Sequence, residues 1–157
     1  MDRVQLRAFV EEYEGREHLS YPDSLGIMTI GVGFNLERGD ARATIEAMGI
    51  DYELLLGQQV QLTDEQIDQL LDEDLDTAEW EAREIFPEFD DIDENRRRVI
   101  VDMLFNLGKT RFSGFRNAIQ AIKDRNWERA ANEMKDSRWY GQVGHRGLRN
   151  VNIMRTG

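Results

Sequence analysis

The hydrophobic pattern of the first 36 residues predicts one helix followed by a small antiparallel sheet. Apolar side chains at positions 6, 9, 10 and 13 form one stripe at helical spacing, which predicts a helix over residues 3–14 closed by Gly15. Two short extended runs follow, His18–Asp23 and Ile27–Val32, with turn-forming residues around positions 22–26. Gly31 and Gly33 leave one side of the second run bare, which suits the close approach of another group.

The rest of the chain predicts helices. Thr63 and Gln66 form a capping-box pattern that opens a long amphipathic helix over residues 64–86, and Pro87 ends it. Shorter helices are predicted after Asp40, from residue 93 or 94 to Gly108, after Ser113, over 127–135 behind Asn126, and after Ser137.

This order of elements predicts a single α+β domain over residues 1–157. We expect a small lobe with a β-hairpin or a three-stranded sheet (about residues 15–62) and a larger helical lobe (residues 1–14 and 87–157). The helix at 63–86 would join the two lobes, and the functional cleft would lie between them.

The amino-acid composition excludes several classes of catalytic and metal-binding site. The 157 residues include no cysteine and only two histidines, His18 and His145. A thiol nucleophile, a disulfide scaffold and a metal site built from cysteines or several histidines are therefore excluded. A Ser-His-Asp triad would need one of those two histidines. We expect no metal and no cofactor.

Charge argues against a nucleic-acid partner, because the net charge is −11 and such binding depends on neutralising phosphates. The charge is divided unevenly: residues 1–94 hold 6 basic and 26 acidic side chains, and residues 95–157 hold 14 basic and 5 acidic ones. The longest uncharged run, residues 24–36, is too short to cross a bilayer, so we expect no membrane insertion.

Carboxylates remain as candidates for catalysis. Glu14 lies in the last turn of the first predicted helix, where the helix dipole favours the protonated carboxyl that a general acid needs. Asp23 lies in the predicted turn and Thr29 on the returning strand, and the hairpin can set its turn opposite the helix end. One neutral and one ionised carboxylate suit glycoside hydrolysis. Each residue also fits an ordinary structural role, as an exposed glutamate, a turn aspartate and a strand threonine.

Three short motifs resemble the active-site signature of the phage-type lysozymes, the endolysin family of the T-even coliphages. They are Tyr13-Glu14-Gly15, Tyr21-Pro22-Asp23 and the segment Thr29–Gly33. The resemblance continues through residues 103–108, 114–115, 127–131 and 137–140, and so covers nearly the whole chain. It implies a lysozyme-like fold and a muramidase that cleaves the β-1,4 bond between N-acetylmuramic acid and N-acetylglucosamine in peptidoglycan.

The resemblance also implies residue roles. Glu14 would be the proton donor, Asp23 the second carboxylate, and Thr29 a holder of the attacking water. The family is usually described as inverting, which implies a separation of about 6.5–9.5 Å between the carboxyls of Glu14 and Asp23. The matching substrate-binding positions are Asn35, Phe105, Asn106, Ala118 and Glu133.

Some positions depart from the family pattern or allow two interpretations. Phe34 stands where the family often has histidine, so a histidine ion pair is absent there. Ala118 and Glu133 replace amide or hydroxyl residues, which puts hydrogen bonds to the aminosugar at these positions in doubt. Phe105 fits either a sugar-binding wall or the core. We expect Trp139 in the core and Arg138 in a structural ion pair.

The family also implies a setting and partners. The substrate would be peptidoglycan, the protein would be made in the host cytoplasm, and a holin would open the membrane to let it reach the wall. We expect a monomer. Two alternatives stay open: a lysozyme-fold module that binds glycan without cleaving it, and a lytic transglycosylase, which gives a 1,6-anhydro product and needs no second carboxylate.

Overall fold

The computed structural model describes residues 1–157 and contains nine α-helices, one 3₁₀ helix and one three-stranded antiparallel sheet. This architecture confirms the predicted α+β class. The chain divides into two compact units, an N-terminal unit of residues 2–74 and a C-terminal unit of residues 75–157 together with Met1. None of the helices combines the length and the apolar character needed to cross a bilayer.

The N-terminal unit begins with helix α1, Arg3–Glu14, whose bounds match the prediction. The Asp2 side chain caps its start by accepting a hydrogen bond from the Gln5 amide (3.0 Å), and Gly15 ends it in the left-handed region, with φ at 76°. The sheet follows, with its strands side by side in chain order, and then two short helices. These elements are β1 (Glu17–Pro22), β2 (Met28–Gly31), β3 (Phe34–Asn35), α2 (Ala41–Ala47) and α3 (Tyr52–Leu56).

Helix α4, Asp64–Ile85, begins with the predicted capping box. The Thr63 amide donates to Oε1 of Gln66 (2.9 Å), and the Gln66 amide donates to the Thr63 hydroxyl (3.2 Å). Two of the free amides at the start of the helix are thus satisfied by its own sequence. The buried face of α4 carries the apolar residues that the pattern indicated, among them Ile67, Leu70, Leu71, Leu75, Ala78 and Ala82.

Helix α1 lies in the N-terminal unit, where ion pairs connect it to the acidic face of α4. Arg7 donates through Nε to Oδ1 of Asp72 (2.8 Å), and Arg16, just after α1, donates to Oδ1 of Asp64 (3.1 Å). Hydrophobic periodicity carries no information about such long-range pairs.

Phe34, which stands where the family often has histidine, packs against an arginine side chain. The Arg38 guanidinium lies 4.1 Å from the centroid of the Phe34 ring and donates to both carboxylate oxygens of Asp74 (3.0 and 3.1 Å). Arg38 also donates to Asp40 (2.7 Å). An arginine stacked on an aromatic ring therefore supplies a cation at this edge of the sheet.

The C-terminal unit is helical. The backbone leaves the helical conformation at Gly108, as predicted, with φ at 78° and ψ at 161°, and a second short helical segment follows this kink within α5. The next helix begins after Phe115 rather than at Ser113. The elements are a 3₁₀ turn (Phe89–Asp91), α5 (Glu94–Phe112), α6 (Arg116–Lys123), α7 (Trp127–Lys135), α8 (Arg138–Val143) and α9 (His145–Thr156).

A buried ionic cluster joins α5 to α9. Asp102 is fully buried, and Arg146 donates to both of its carboxylate oxygens (3.0 and 2.7 Å). Asn150 adds a further hydrogen bond to Asp102 (2.8 Å), and Arg149 lies 3.2 Å away from it. A buried carboxylate needs such compensation, because loss of its hydration would otherwise be very costly.

Candidate active site

Glu14 is the last residue of α1, and its carboxyl packs against the turn between β2 and β3. A Cβ atom built on Gly33 would lie 2.6 Å from Oε2 and 3.1 Å from Cδ of Glu14. Only a glycine leaves room for the carboxyl at this place. Gly33 also has φ at 69°, a conformation that glycine adopts without strain. The close approach predicted from Gly31 and Gly33 is therefore the contact between Gly33 and the Glu14 carboxyl.

The Asp23 carboxylate is held by the turn between β1 and β2. Its Oδ1 accepts hydrogen bonds from the backbone amides of Leu25 (2.8 Å) and Ile27 (2.9 Å). Backbone hydrogen bonds between Asp23 and Ile27 and between Gly26 and Asp23, each 2.9 Å long, close the same turn. These bonds fix the direction of the carboxylate and engage only one of its two oxygens.

Thr29 lies on the central strand, between Tyr21 on one side and Asn35 on the other. Its side chain is buried, and its hydroxyl donates to the Ile27 carbonyl (2.9 Å). Because the hydroxyl proton is used in this bond, the oxygen is left to accept hydrogen bonds. Asn35 is half-buried, and its side-chain oxygen accepts a hydrogen bond from the Glu37 amide (2.7 Å).

The Tyr21 phenol is influenced by the charges of Glu14 and Asp23. Burial raises the pKa of the Tyr21 phenol, and the negative charges of Glu14, Glu17 and Asp23 raise it further. The phenol thus lies in the electrostatic field of both candidate carboxylates. Thr29 is the β-sheet partner of Tyr21, so these two residues lie side by side on neighbouring strands.

The other four candidate residues belong to the C-terminal unit. Phe105 and Asn106 lie on α5 and are half-buried, and the side-chain oxygen of Asn106 accepts a hydrogen bond from the Trp139 indole (2.9 Å). Ala118 on α6 is buried and Glu133 on α7 is half-buried. Ala118 and Glu133 line a cavity of about 720 Å³ within this unit, whereas Phe105 and Asn106 do not.

Two neighbouring predictions have different outcomes. Trp139 is buried, 3% exposed, and its ring packs edge-on against Phe115 at 6.2 Å, which confirms the core assignment. The structural ion pair expected for Arg138 is wrong. Arg138 is the first residue of α8, its side chain is exposed, and it forms no salt bridge. Arg138 instead lines the same cavity as Ala118 and Glu133.

Sequence reasoning missed the roles of Tyr21 and Gly33. The signal for Gly33 was present, since its alternation with Gly31 indicated close approach, but nothing in the pattern named Glu14 as the group that approaches. Tyr21 gave no signal beyond its place in a motif, because its link to two carboxylates depends on how β1 packs.

Comparisons with known proteins identify the family of this chain. A family model described as phage lysozyme matches residues 11–152. Two relatives from Dictyostelium discoideum match over nearly their whole length. "Probable T4-type lysozyme 2" is 24% identical, covering 97% of this chain and 94% of the relative, and "Probable T4-type lysozyme 1" is 28% identical, covering 92% and 89%.

A third relative is much longer than this chain. "Peptidoglycan hydrolase gp36" of Pseudomonas phage phiKMV is 31% identical over 92% of this chain, which corresponds to 14% of the relative. The family match includes the last four residues of α1 and, in full, the sheet and α2 to α8, so it contains every candidate residue from Glu14 to Glu133. The chain therefore belongs to the phage lysozyme family.

Proposed function

We propose that this protein hydrolyses the β-1,4 bond between N-acetylmuramic acid and N-acetylglucosamine in peptidoglycan. The observation that carries the proposal is the contact of the Glu14 carboxyl with Gly33, in the same unit as Asp23 and Thr29. Glu14 ends a helix against Gly33, Asp23 is fixed by its turn, and the Thr29 hydroxyl donates to the Ile27 carbonyl and can accept another hydrogen bond. Most glycoside hydrolases use a pair of carboxylates, and a hydroxyl can help to hold the attacking water.

Glu14 is the general acid in this proposal. It lies at the carboxyl end of α1, with its carboxyl against Gly33. The proton passes from Glu14 to the glycosidic oxygen as the bond from that oxygen to C1 of the muramic acid breaks. Gly33 leaves the space that the carboxyl occupies, and the absence of a side chain there lets a sugar come close to the backbone beside it.

Asp23 and Thr29 act on the water that attacks C1. The Oδ1 atom of Asp23 is engaged by two amides, so Oδ2 is the oxygen that takes a proton from the water. The Thr29 hydroxyl donates a hydrogen bond to the Ile27 carbonyl, so its oxygen can accept a hydrogen bond from the second O–H group of the water, whose proton stays on the oxygen that bonds to C1. Together the two acceptors orient the lone pair of the water towards C1.

Asn35 contributes to substrate binding. Its oxygen is occupied by the Glu37 amide, which orients the side chain and leaves the NH₂ group to donate to a sugar hydroxyl or acetamido oxygen. The family resemblance also implies substrate-binding roles for Phe105, Asn106, Ala118 and Glu133, which lie in the C-terminal unit.

Product analysis tests the proposal. Purified peptidoglycan is treated with the parent protein, Glu14→Gln and Asp23→Asn, and the released muropeptides are reduced and identified by mass spectrometry. The parent should release products with a reducing muramic acid end, and each variant should lose activity by at least about 100-fold while keeping its circular dichroism spectrum. A 1,6-anhydro product with activity retained in Asp23→Asn would indicate a lytic transglycosylase. Binding without release by the parent would indicate a glycan-binding module.

The proposal extends to the setting of the reaction. We propose that the protein is made in the host cytoplasm and meets the wall after a holin opens the membrane. Expression in a bacterium with and without a membrane-permeabilising protein tests this, because only co-expression should clear the culture.

A further inference from the structure

Trp80 is the one tryptophan of the chain whose ring is largely open to solvent. It lies on α4 in the C-terminal unit and is 61% exposed. The other two are engaged: Trp139 is buried and donates its indole N–H to Asn106, and the Arg96 guanidinium covers Trp127 at 4.2 Å. The indole N–H of Trp80 donates to no group of the chain. Trp80 therefore offers a large apolar ring and an unused hydrogen-bond donor, a combination that is enriched where proteins bind partners.

Charged groups from two helices border the Trp80 ring. The Lys109 ammonium, on α5, lies 5.8 Å from the ring centroid and forms an ion pair with Glu84, one turn after Trp80 on α4. Glu81 is half-buried, yet its carboxylate forms no ion pair and accepts no hydrogen bond. Burial raises the pKa of Glu81, and the nearby positive charge of Lys109 opposes this rise. One ion pair and one carboxylate without a hydrogen bond thus lie beside the exposed ring.

The exposed apolar area at this place is the size of a single indole. No other large apolar side chain of α4 or α5 is exposed, since the remaining ones lie at positions 4, 13, 19, 25, 54 and 148. A stable protein interface needs several apolar residues at its centre. An anionic membrane surface would be repelled by α4, which carries ten acidic residues and one arginine. The site fits neither a protein partner nor a membrane.

A neutral sugar ring matches the size and the chemistry of this site. One face of a pyranose presents C–H groups, which pack on an aromatic ring, and the area of a pyranose is close to that of one indole. Sugar hydroxyls both donate and accept hydrogen bonds, so they can donate to Glu81 and accept from Lys109 and the Trp80 indole. A ligand carboxylate would instead be repelled by Glu81 and Glu84. The site therefore favours an uncharged sugar over an acidic peptide.

We propose that Trp80, Glu81 and Lys109 form a glycan-binding site for the N-acetylglucosamine units of the peptidoglycan strand. The proposal rests on the proposed function, which supplies the polymer. N-acetylglucosamine carries no lactyl group and no peptide, unlike its muramic acid neighbour. None of the three residues lines the cavity that contains Ala118 and Glu133, so this contact is a separate one. A second contact with the same long strand raises the overall affinity of the enzyme for its substrate.

Protection of Trp80 from a fluorescence quencher tests the site without hydrolysis. Acrylamide quenches exposed tryptophans, and glycan strands freed of their peptide stems by an amidase are the ligand. The proteins are Glu14→Gln, which leaves the strands intact, and Glu14→Gln/Trp80→Phe, in which Trp127 and Trp139 report on any effect elsewhere. We expect the strands to remove the quenching that is present in the first protein and absent from the second.

Sedimentation with the same strands measures the affinity of further variants in the Glu14→Gln background. Trp80→Ala and Glu81→Ala should each weaken binding about threefold to tenfold, the effect of one lost aromatic contact or hydrogen bond. Trp80→Tyr should keep most of the affinity, because it keeps an aromatic ring. Leu148→Ala is the matched control: it removes another exposed apolar side chain from the same unit and should bind as tightly as the background protein.

Any of four results would overturn the proposal. In the first, the strands leave Trp80 as accessible to acrylamide as before, and in the second, Trp80→Ala binds as tightly as the background protein. In the third, Leu148→Ala loses as much affinity as Trp80→Ala. In the fourth, Trp80→Ala binds whole peptidoglycan more weakly but stem-free strands equally well, which would make the peptide the ligand. Failure of the proposed function is seen separately, because the parent protein would then not hydrolyse untreated peptidoglycan.

Discussion

Replacing Gly33 with alanine tests the link between the sheet and Glu14. The added methyl group would lie 2.6 Å from Oε2 and 3.1 Å from Cδ of Glu14. An ordinary C···O contact is about 3.3 Å, so the carboxyl has to move by about 0.7 Å or more. The move takes Glu14 away from the position in which we propose it protonates the glycosidic oxygen.

The magnitudes separate into an effect on stability and an effect on activity. Alanine at φ 69° costs about 1–2 kcal/mol of folding free energy, because the left-handed conformation brings its Cβ close to the backbone. A misplacement of a catalytic group by about 1 Å can cost about 100-fold in rate. We therefore expect kcat/KM to fall by about 100-fold, with a loss of unfolding free energy of only about 1–2 kcal/mol.

Gly49→Ala is the matched control. Gly49 has φ at 80°, in the same left-handed region, and a Cβ atom there meets nothing within 4 Å. The Gly49→Ala variant should lose as much unfolding free energy as Gly33→Ala in urea titration, and it should keep full activity in a peptidoglycan-clearing assay. If Gly33→Ala were as active as Gly49→Ala, the contact with Glu14 would have no part in catalysis and the reasoning would be refuted.

Three further predictions concern the water-binding hydroxyl, the buried ionic cluster and the pH dependence of folding. Thr29→Val should lose at least about tenfold in kcat while Thr29→Ser keeps most of it, because in our proposal a hydroxyl oxygen at this position accepts a hydrogen bond from the attacking water; equal rates would contradict this role. Asp102→Ala should lower the unfolding free energy by about 3–5 kcal/mol in urea titration, since Arg146 stays buried without its partner; a loss under about 1 kcal/mol would contradict it. The hydrogen bond from Arg7, with the nearby positive charges, holds the pKa of Asp72 below its usual value. Its stabilisation is therefore present above the unfolded-state pKa of about 3.9 and is lost as the pH falls through the lower folded-state pKa. Asp72→Asn should lose less stability than the parent between about pH 5 and pH 2, and an unchanged acid limb would argue against the pair.

Local signals in the sequence were enough for much of the fold. Helix α1 and its capping glycine, the capping box at Thr63 and the Asn126 cap of α7 depend on residues within four positions of one another. The structure has each of them where the pattern indicates. Gly108 also breaks the helical backbone where the pattern indicates, but the pattern did not indicate the short helical segment that follows it up to Phe112.

Part of the candidate site could be predicted from the sequence, and part of it could not. The spacing of Glu14, Asp23 and Thr29 could be recognised in the sequence, and the turn and strand that carry them lie as expected. The contact of Glu14 with Gly33 and the exposure of Arg138 depend on tertiary packing. The local sequence pattern does not indicate which distant side chain lies against a glycine. It also does not indicate which charged side chain has no partner.

The most direct test of the account is hydrolysis of peptidoglycan in water enriched in oxygen-18, followed by mass spectrometry of the unreduced muropeptides. If Glu14 protonates the leaving oxygen and a water held by Asp23 and Thr29 attacks C1, each new muramic acid end carries one heavy oxygen, and folded Glu14→Gln releases almost none of this product. Unlabelled 1,6-anhydro ends, or labelled ends formed by Glu14→Gln at the parental rate, would contradict it.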